Sequence, residues 1–250
     1  MTNIPTGRFV WFEYTSKDLK KSQGFFGELF NWSTQDVPMP QGAYTMIASN
    51  GGTIGGYQPP MAGGPDAAWL SHLQVEDAAA SAKLVAALGG KIHKDAFEVG
   101  VGVIAIVADP LGATFALWQP TSREPGGDSA GKPGTFCWNE LYTADPAASV
   151  KFYKAIGGFE SEAMEMPGMA AYHVLKKDGQ SRAGVLKSPM PGVPQSWLPY
   201  VAVTSCDATN DKANKLGATS LVPPTSVPTV GRFAVLEDPS GVAIGILQAE

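Results

Sequence analysis

The chain has 250 residues, of which 44% are hydrophobic and 16% are charged, and its formal net charge is −5. This composition is typical of a globular protein that buries a core, and it excludes an intrinsically disordered chain. The negative charge, with no cluster of Lys or Arg to offset it, argues against a nucleic-acid partner and against an acidic membrane surface. The two cysteines, Cys137 and Cys206, are too few for a disulfide framework.

No segment of the sequence reads as a signal peptide or as a membrane span. The first ten residues, MTNIPTGRFV, lack a basic region followed by an apolar one. No stretch reaches the roughly 18 apolar residues that a spanning helix needs. We therefore expect a cytoplasmic protein with no membrane partner.

In chain order, the first predicted strand is FVWFEYTS, and Asp18 follows it as the cap of a predicted helix over LKKSQGFFGELF. Asp is a good N-cap because its carboxylate accepts hydrogen bonds from the unpaired N–H groups of a helix. Two short strand-like runs, AYTMIAS and TIGGYQ, come next. The same pattern then recurs, with Asp77 before the helical AAASAKLVAALGG and with VIAIVA and ATFALWQ as the strands.

The second half of the chain repeats the first at a nearly constant offset. The matching segments are FVWFEYTSKD (9–18) with FCWNELYTAD (136–145), Trp69 with Trp197, and DPLG (109–112) with DPSG (238–241). Asp145 and Asp207 are the predicted helix caps of this half. Such a steady register indicates a tandem duplication.

The strand–helix–strand–strand–strand pattern therefore occurs four times and predicts an α+β fold of four βαβββ modules. Residues 1–121 form the first predicted domain and residues 133–250 the second. The polar, Gly-rich stretch SREPGGDSAGK, residues 122–132, is the predicted linker between them.

Several of these features resemble the vicinal oxygen chelate superfamily, the glyoxalase/bleomycin-resistance/extradiol-dioxygenase group. They are the strand-Asp-helix openings, the LGG and LGA helix ends, and the hairpins DPLGATFALWQ and DPSGVAIGILQ. More narrowly, GTFCWNELYTAD, PMPGVP (189–194) and VGRFAVLEDPSG (230–241) are similar to two-domain actinobacterial members often labelled hydroxylase, glyoxalase-like protein or antigen. The resemblance implies that the modules pair into two tandem cups, module one with two and module three with four.

The resemblance also implies a divalent metal in each cup, held by His, Gln or Glu on the first strands and by Glu on the last strand. The residues at these positions of the chain are Trp11, Leu70, Trp138, Leu198, Ala116 and Gly245. A metal without N or O donors does not stay bound. We therefore expect neither a metal nor another cofactor, an expectation that depends on the strand register.

Strand alternation places the residues beyond these positions on the same cup-facing surface. The predicted ligand-binding residues are Trp11, Glu13, His72, Trp138, Glu140, Tyr142 and Tyr200. A carboxylate buried beside an indole needs a hydrogen-bond or ionic partner, so Glu13 and Glu140 should each have one. These two and His72 are also the catalytic candidates, since Glu13 with His72 could form a proton-transfer pair.

A purely structural interpretation of the same residues remains open. Trp11 and Trp138 could fill cups that have lost their metal, with Glu13 and Glu140 bonded to nearby tyrosines or to backbone.

The leading functional hypothesis is a metal-independent small-molecule binding protein of the glyoxalase/bleomycin-resistance type, with one aromatic-lined cup per domain. The resemblance favours this role, because superfamily members that sequester drugs work without a metal. One alternative is a glyoxalase-like lyase, or a hydroxylase or dioxygenase, acting on a small oxygenated or carbonyl compound. Another is an interaction or antigenic surface protein with filled cups. The sequence leaves open the ligand, catalysis and the formation of a homodimer.

Overall fold

The computed structural model describes residues 6–39, 42–121, 131–165, 171–188 and 195–250. The PMPGVP segment lies outside these ranges, and so does most of the predicted linker, residues 122–130. Four copies of the strand–helix–strand–strand–strand pattern follow one another in the described chain.

Module one consists of β1 (Phe9–Ser16), α1 (Leu19–Phe30), β2 (Ser33–Met39), β3 (Gly42–Ser49) and β4 (Gly52–Gln58). Module two consists of β5 (Ala67–Gln74), α2 (Ala78–Ala87), β6 (Lys91–Glu98), β7 (Gly102–Ala108) and β8 (Thr114–Pro120). Module three consists of β9 (Phe136–Thr143), α3 (Pro146–Gly157), β10 (Glu160–Met164), β11 (Tyr172–Lys177) and β12 (Gln180–Lys187). Module four consists of β13 (Ser196–Ala202), α4 (Cys206–Lys215), β14 (Thr219–Val227), β15 (Gly231–Glu237) and β16 (Ala243–Ala249). The predicted α+β class with four βαβββ modules is confirmed.

The strands form two eight-stranded sheets, one for each half of the sequence. The first sheet has the order β2-β3-β4-β1-β5-β8-β7-β6, and the second has the order β10-β11-β12-β9-β13-β16-β15-β14. In each module the first strand runs parallel to the last, as β1 does to β4 and β9 to β12. The edge strands β6 and β14 carry lysines or prolines, which discourage pairing with another chain.

Contacts between residues divide the chain into two compact units in a different way from the sheets. The described residues within 70–126 and 139–197, together with the start of β1, pack as one compact unit, so that modules two and three belong together. The described residues within 11–69, 127–138 and 198–250 form the other unit, from modules one and four. Each unit therefore draws one module from each repeat, while the predicted domain boundaries, 1–121 and 133–250, stay a prediction.

Both units bury aliphatic and aromatic side chains. In the unit of modules two and three, Leu73 and Phe115 belong to the same buried cluster as Tyr153. The core of the unit of modules one and four includes a cluster of rings, where Tyr14 lies 5.2 Å from Phe26 and 4.8 Å from Trp69 between centroids. Burial of these apolar surfaces is the main contribution to the stability of each unit.

The repeated DPLG and DPSG motifs have a structural role. Asp109 accepts hydrogen bonds from two backbone N–H groups of its own turn, at 2.9 Å each, and its other oxygen accepts from the Tyr153 hydroxyl at 3.1 Å. Asp238 likewise accepts from its own turn and from the Tyr14 hydroxyl. Each bond joins a turn of one repeat to a tyrosine of the other, inside one compact unit.

Three of the four predicted helix caps are confirmed, and the fourth is wrong. The side chains of the confirmed caps accept from backbone N–H groups of the first turn: Asp18, Asp77 and Asp145. Helix α4 is capped instead by Ser205, whose side chain accepts from the backbone N–H of Ala208 at 3.3 Å. Because the helix begins earlier than expected, Asp207 lies in its first turn and forms an ion pair with Arg232.

Candidate functional site

One face of β1 carries the predicted ligand-binding residues of module one. Tyr14 is fully buried against α1, with its ring 5.2 Å from that of Phe26. Because successive strand side chains point to opposite faces, Glu13 and its neighbours at positions 11 and 15 face away from the helix. We call this surface, formed by Trp11, Glu13, Thr15, Tyr44 and Gln58, the module-one site.

The Glu13 carboxylate in the module-one site accepts hydrogen bonds from two neighbouring side chains, Tyr44 and Gln58. The side chain is only 8% exposed. Its Oε2 accepts from the Tyr44 hydroxyl at 3.1 Å and from Gln58 Nε2 at 3.0 Å. The indole N–H of Trp11 donates to the same Tyr44 oxygen at 2.9 Å. Burial, and then the charge of Glu13, raise the pKa of Tyr44, which therefore remains a hydrogen-bond donor.

Module three repeats this arrangement with other neighbours. Leu141 is fully buried in the core cluster that also contains Tyr153 of α3, so Glu140 and Tyr142 face away from that helix. Glu140 is 8% exposed and accepts a hydrogen bond from Tyr172 at 2.7 Å. We call the surface formed by Trp138, Glu140, Tyr142, Tyr172 and Leu186 the module-three site.

All four modules place a large residue of the first strand beside a small residue of the parallel last strand. The pairs in register are Glu13 with Gly56, His72 with Ala116, Glu140 with Gly184, and Tyr200 with Gly245. A Cβ on Gly56 would lie 2.0 Å from the Tyr44 hydroxyl, and one on Gly245 would lie 2.2 Å from the Tyr200 ring. Tyrosine side chains therefore occupy the volume that a longer side chain at Gly56 or Gly245 would need.

His72 lies in β5 of module two with its imidazole almost fully buried, at 2% exposure. Its Nε2 has no hydrogen-bond partner among the described residues. Burial lowers the pKa of His72 to about 3, so the ring is neutral at ordinary pH. A proton-transfer role needs an imidazole that exchanges its proton near neutral pH, which this environment opposes.

Tyr200, the predicted ligand-binding residue of module four, is 4% exposed and packs over Gly245. Its ring centroid lies 6.5 Å from that of Phe233. In module four the Tyr200 ring therefore covers the sheet face on which it lies. The indoles of Trp11 and Trp138 and the ring of Tyr142 are half-buried instead, so they keep surface that a ligand can cover.

The metal implied by the fold family does not fit the residues at the expected positions. Those positions hold indole, aliphatic or glycine side chains, none of which donates N or O to a divalent ion: Trp11, Leu70, Trp138, Leu198, Ala116 and Gly245. Within residues 6–39, 42–121, 131–165, 171–188 and 195–250, no three His, Cys, Asp or Glu side chains form a group that could hold a metal ion. Glu13 and Glu140 are instead held by tyrosines.

Neither of the two cysteines is reactive at neutral pH. Burial raises the pKa of the Cys137 thiol to about 12 and that of Cys206 to about 11, so neither is a thiolate nucleophile at neutral pH.

Among the helices of the described ranges, none combines the length and apolarity needed to cross a membrane.

Sequence reasoning missed the residues that hold the two carboxylates, namely Tyr44, Gln58 and Tyr172. It required partners for Glu13 and Glu140 and allowed for tyrosines, but it did not identify them. A usable signal was present, because Ala43-Tyr44 recurs as Ala171-Tyr172 at the offset of the repeat.

Comparison with known proteins identifies the family to which the chain belongs. The profile of the Glyoxalase/Bleomycin resistance protein/Dioxygenase superfamily matches residues 136–246. The putative glyoxylase CFP32 of Mycobacterium tuberculosis is 35% identical over 244 residues, which cover 95% of this chain and 93% of the relative. The anthracycline biosynthesis protein DnrV of Streptomyces peucetius is 31% identical over 268 residues, covering 99% of this chain and 95% of the relative.

Solved structures of this group share the fold at low sequence identity. The Mn(II)-bound glyoxalase from Novosphingobium aromaticivorans aligns with a TM-score of 0.67 and 15% identity, covering 98% of this chain and 82% of its own. The 2,3-dioxygenase LapB from Pseudomonas sp. KL28 aligns with a TM-score of 0.68 and 14% identity, covering 99% and 94%. Full-length relatives at 35% and 31% identity, together with this fold, show that the chain belongs to the glyoxalase/bleomycin resistance/dioxygenase superfamily.

Proposed function

We propose that this protein binds small molecules without a metal ion, at the module-one and module-three sites. The proposal is based on a set of three residues that occurs in both sites. Each set has a half-buried Trp, a Glu two residues later on the same strand face, and a Tyr that donates a hydrogen bond to this Glu. The indole offers an aromatic surface for stacking, and the carboxylate sets the polarity of the ligand.

The arrangement of the carboxylates suits a ligand that donates hydrogen bonds. A carboxylate accepts up to about four hydrogen bonds, so a ligand hydroxyl or amine can join or replace a protein donor. The bond from Tyr44 restricts the conformations of Glu13, which lowers the entropy lost on binding. A hydroxylated or amine-bearing aromatic ring is therefore the ligand class that we expect.

The names of the relatives are compatible with this class. DnrV of Streptomyces peucetius is named for anthracycline biosynthesis, and anthracyclines are hydroxylated ring systems. A planar ring of this kind would stack on Trp11 or Trp138 and donate to the neighbouring carboxylate.

A second candidate is a glyoxalase-like lyase, or a hydroxylase or dioxygenase, and it is favoured by the relative named putative glyoxylase CFP32. The catalytic candidates are then Glu13, His72 and Glu140. Because burial lowers the pKa of His72 to about 3, its imidazole is a weak base, and Glu13 or Glu140 is the stronger choice for a general base. Activity in a standard glyoxalase assay that Glu13→Gln or Glu140→Gln abolishes would support this candidate over simple binding.

The partner and compartment assignments stay predictions. We expect a small-molecule ligand, no nucleic-acid or membrane partner, and a cytoplasmic location. Whether two copies of the chain form a homodimer is an open question.

The proposal is tested with 2,3-dihydroxynaphthalene as the probe, in buffer containing EDTA. We expect saturable binding, and Glu13→Gln and Glu140→Gln should each weaken one of two sites about tenfold, the effect of about one charge-assisted hydrogen bond. Glu28→Gln, at an exposed position of α1, is the matched control and should leave both affinities unchanged. Unchanged affinity in both site variants would remove the role assigned to the carboxylates.

A further inference from the structure

The two sites differ at a pair of positions beside the shared carboxylate. In module one, β1 and β4 pair in parallel, with Thr15 opposite Gln58. In module three, β9 and β12 pair in the same way, with Tyr142 opposite Leu186. Residues that pair in register share one face of a sheet, so each pair lies on the same face as its Glu.

In module one both positions are polar. Gln58 donates from Nε2 to Glu13 Oε2 at 3.0 Å, and Thr15 donates its hydroxyl to the backbone oxygen of Ala68 at 3.3 Å. An amide carries a carbonyl oxygen as well as its N–H groups, and the Thr oxygen has acceptor capacity. A ligand hydroxyl placed beside Glu13 therefore meets several hydrogen-bonding groups.

In module three the equivalent positions are aromatic and aliphatic. Leu186 is 9% exposed and offers no hydrogen-bonding atom in its side chain, while Tyr142 is half-buried and adds a ring face. A ligand hydroxyl placed against Leu186 would lose its water without gaining a partner there, whereas an apolar ring would lose nothing. The Tyr172–Glu140 hydrogen bond has its equivalent in the module-one site, so the difference between the two sites lies in the pair beside it.

We infer that the two sites bind ligands of different polarity, and that the pairs Thr15–Gln58 and Tyr142–Leu186 determine this specificity. The module-one site takes a ring with two neighbouring hydroxyl groups, and the module-three site takes a ring with a single hydroxyl group for Glu140 and apolar substituents beside Leu186. The inference rests on the proposed function, since it assigns a ligand class to each of the same two sites.

The test uses two probes with one ring system, 2,3-dihydroxynaphthalene and 2-naphthol, titrated into the full chain in EDTA. Binding is followed at the indole N–H signals of Trp11 and Trp138 in nuclear magnetic resonance spectra, assigned with Trp11→Phe and Trp138→Phe. We expect the diol to bind more tightly when read at Trp11 and 2-naphthol to bind more tightly when read at Trp138, with a roughly tenfold difference in the ratio of dissociation constants.

Exchanging the residues at these positions should change which probe each site prefers. Gln58→Leu should lower the diol preference of the module-one site about tenfold, and Leu186→Gln should raise that of the module-three site by a similar factor. Tyr142→Thr is a second module-three variant in case Leu186→Gln does not fold, which circular dichroism would show. It should shift the preference in the same direction.

The outcomes separate the two proposals. Equal preference at both tryptophans, or a preference that the variants do not move, overturns this inference and leaves the proposed function standing. Failure of both probes to give saturable shifts at either tryptophan overturns the inference and the proposed function together.

Discussion

The two halves of the chain hold the same fold positions with different chemistry. The Glu–Tyr pair is kept, as Glu13 with Tyr44 and as Glu140 with Tyr172. One position beside it is polar in the first half, where Gln58 adds a donor, and apolar in the second, where Leu186 takes its place. The duplication thus preserved the element that holds the carboxylate and changed the surface that a ligand would contact.

Modules two and four differ in the same sense. His72 in the first half is a buried imidazole whose Nε2 has no partner among the described residues, whereas the equivalent Tyr200 in the second half packs over Gly245. A polar group that is buried without a partner costs free energy, and a packed ring does not. The first half therefore carries the more costly polar position.

The largest expected effect is an acid sensitivity that His72 gives to the first half. Its pKa is about 3 in the folded protein and near 6.5 when unfolded, so below pH 6.5 the unfolded chain binds a proton that the folded chain does not. Stability should then fall by about 1.4 kcal/mol per pH unit as the pH drops toward 4. His72→Leu should remove this change of the free energy of unfolding with pH, measured by urea unfolding at a series of pH values.

The control for this prediction is His93→Gln, at an exposed position of the edge strand β6, which should change the slope far less. An identical pH dependence of the free energy of unfolding in wild type and His72→Leu would contradict the assignment.

A smaller effect is expected from Gly56→Ala in module one. The added Cβ would lie 2.0 Å from the Tyr44 hydroxyl, so the tyrosine must move and its bond to Glu13 is lost. We expect a loss of about 2 kcal/mol in the free energy of unfolding, as for other overpacked positions. The change should also abolish probe binding read at Trp11 and leave that read at Trp138 intact.

Gly52→Ala in the same strand is the matched control, because a Cβ added at Gly52 would have no neighbouring atom within 4 Å. Equal stabilities of the Gly56 and Gly52 variants would show that Tyr44 does not need this space.

The smallest expected effect is the loss of the Tyr–Glu hydrogen bonds themselves. Tyr44→Phe and Tyr172→Phe should each lower the free energy of unfolding by about 1–2 kcal/mol, the range for a hydrogen bond to a charged group. Tyr57→Phe is the control, because the buried Tyr57 hydroxyl has no hydrogen-bond partner among the described residues. Its removal should be neutral or stabilising in thermal unfolding, and equal losses in all three variants would argue against the bonds.

Much of the fold follows from local patterns in the sequence. The repeat, the four modules and three of the helix caps depend on residues that are close in sequence, such as Asp18 and the helix that it opens. The cap at Ser205 was missed because Ser and Asp are nearly equal as N-caps and Asp207 stands two residues away.

The candidate site depends on contacts that the sequence does not encode locally. Glu13 could be placed on the face opposite α1 by strand alternation, but its partners Tyr44 and Gln58 come from other strands of the sheet. Which residue of β4 lies beside Glu13 depends on the register between strands, and a shift of one residue would exchange the faces. That Gln58 and Leu186 lie at equivalent positions beside the two carboxylates can be recognised only once that register is known.

We propose that the repeated carboxylate sites bind their ligand without a metal. The most direct measurement is a calorimetric titration of 2,3-dihydroxynaphthalene into protein dialysed against EDTA, repeated with stoichiometric Mn²⁺, Ni²⁺, Zn²⁺ or Fe²⁺ and no chelator. We expect saturable heat in the metal-free protein, with an affinity that the added ions leave unchanged. Binding heat that appears only after a metal is added, together with stoichiometric retention of that metal, would contradict it.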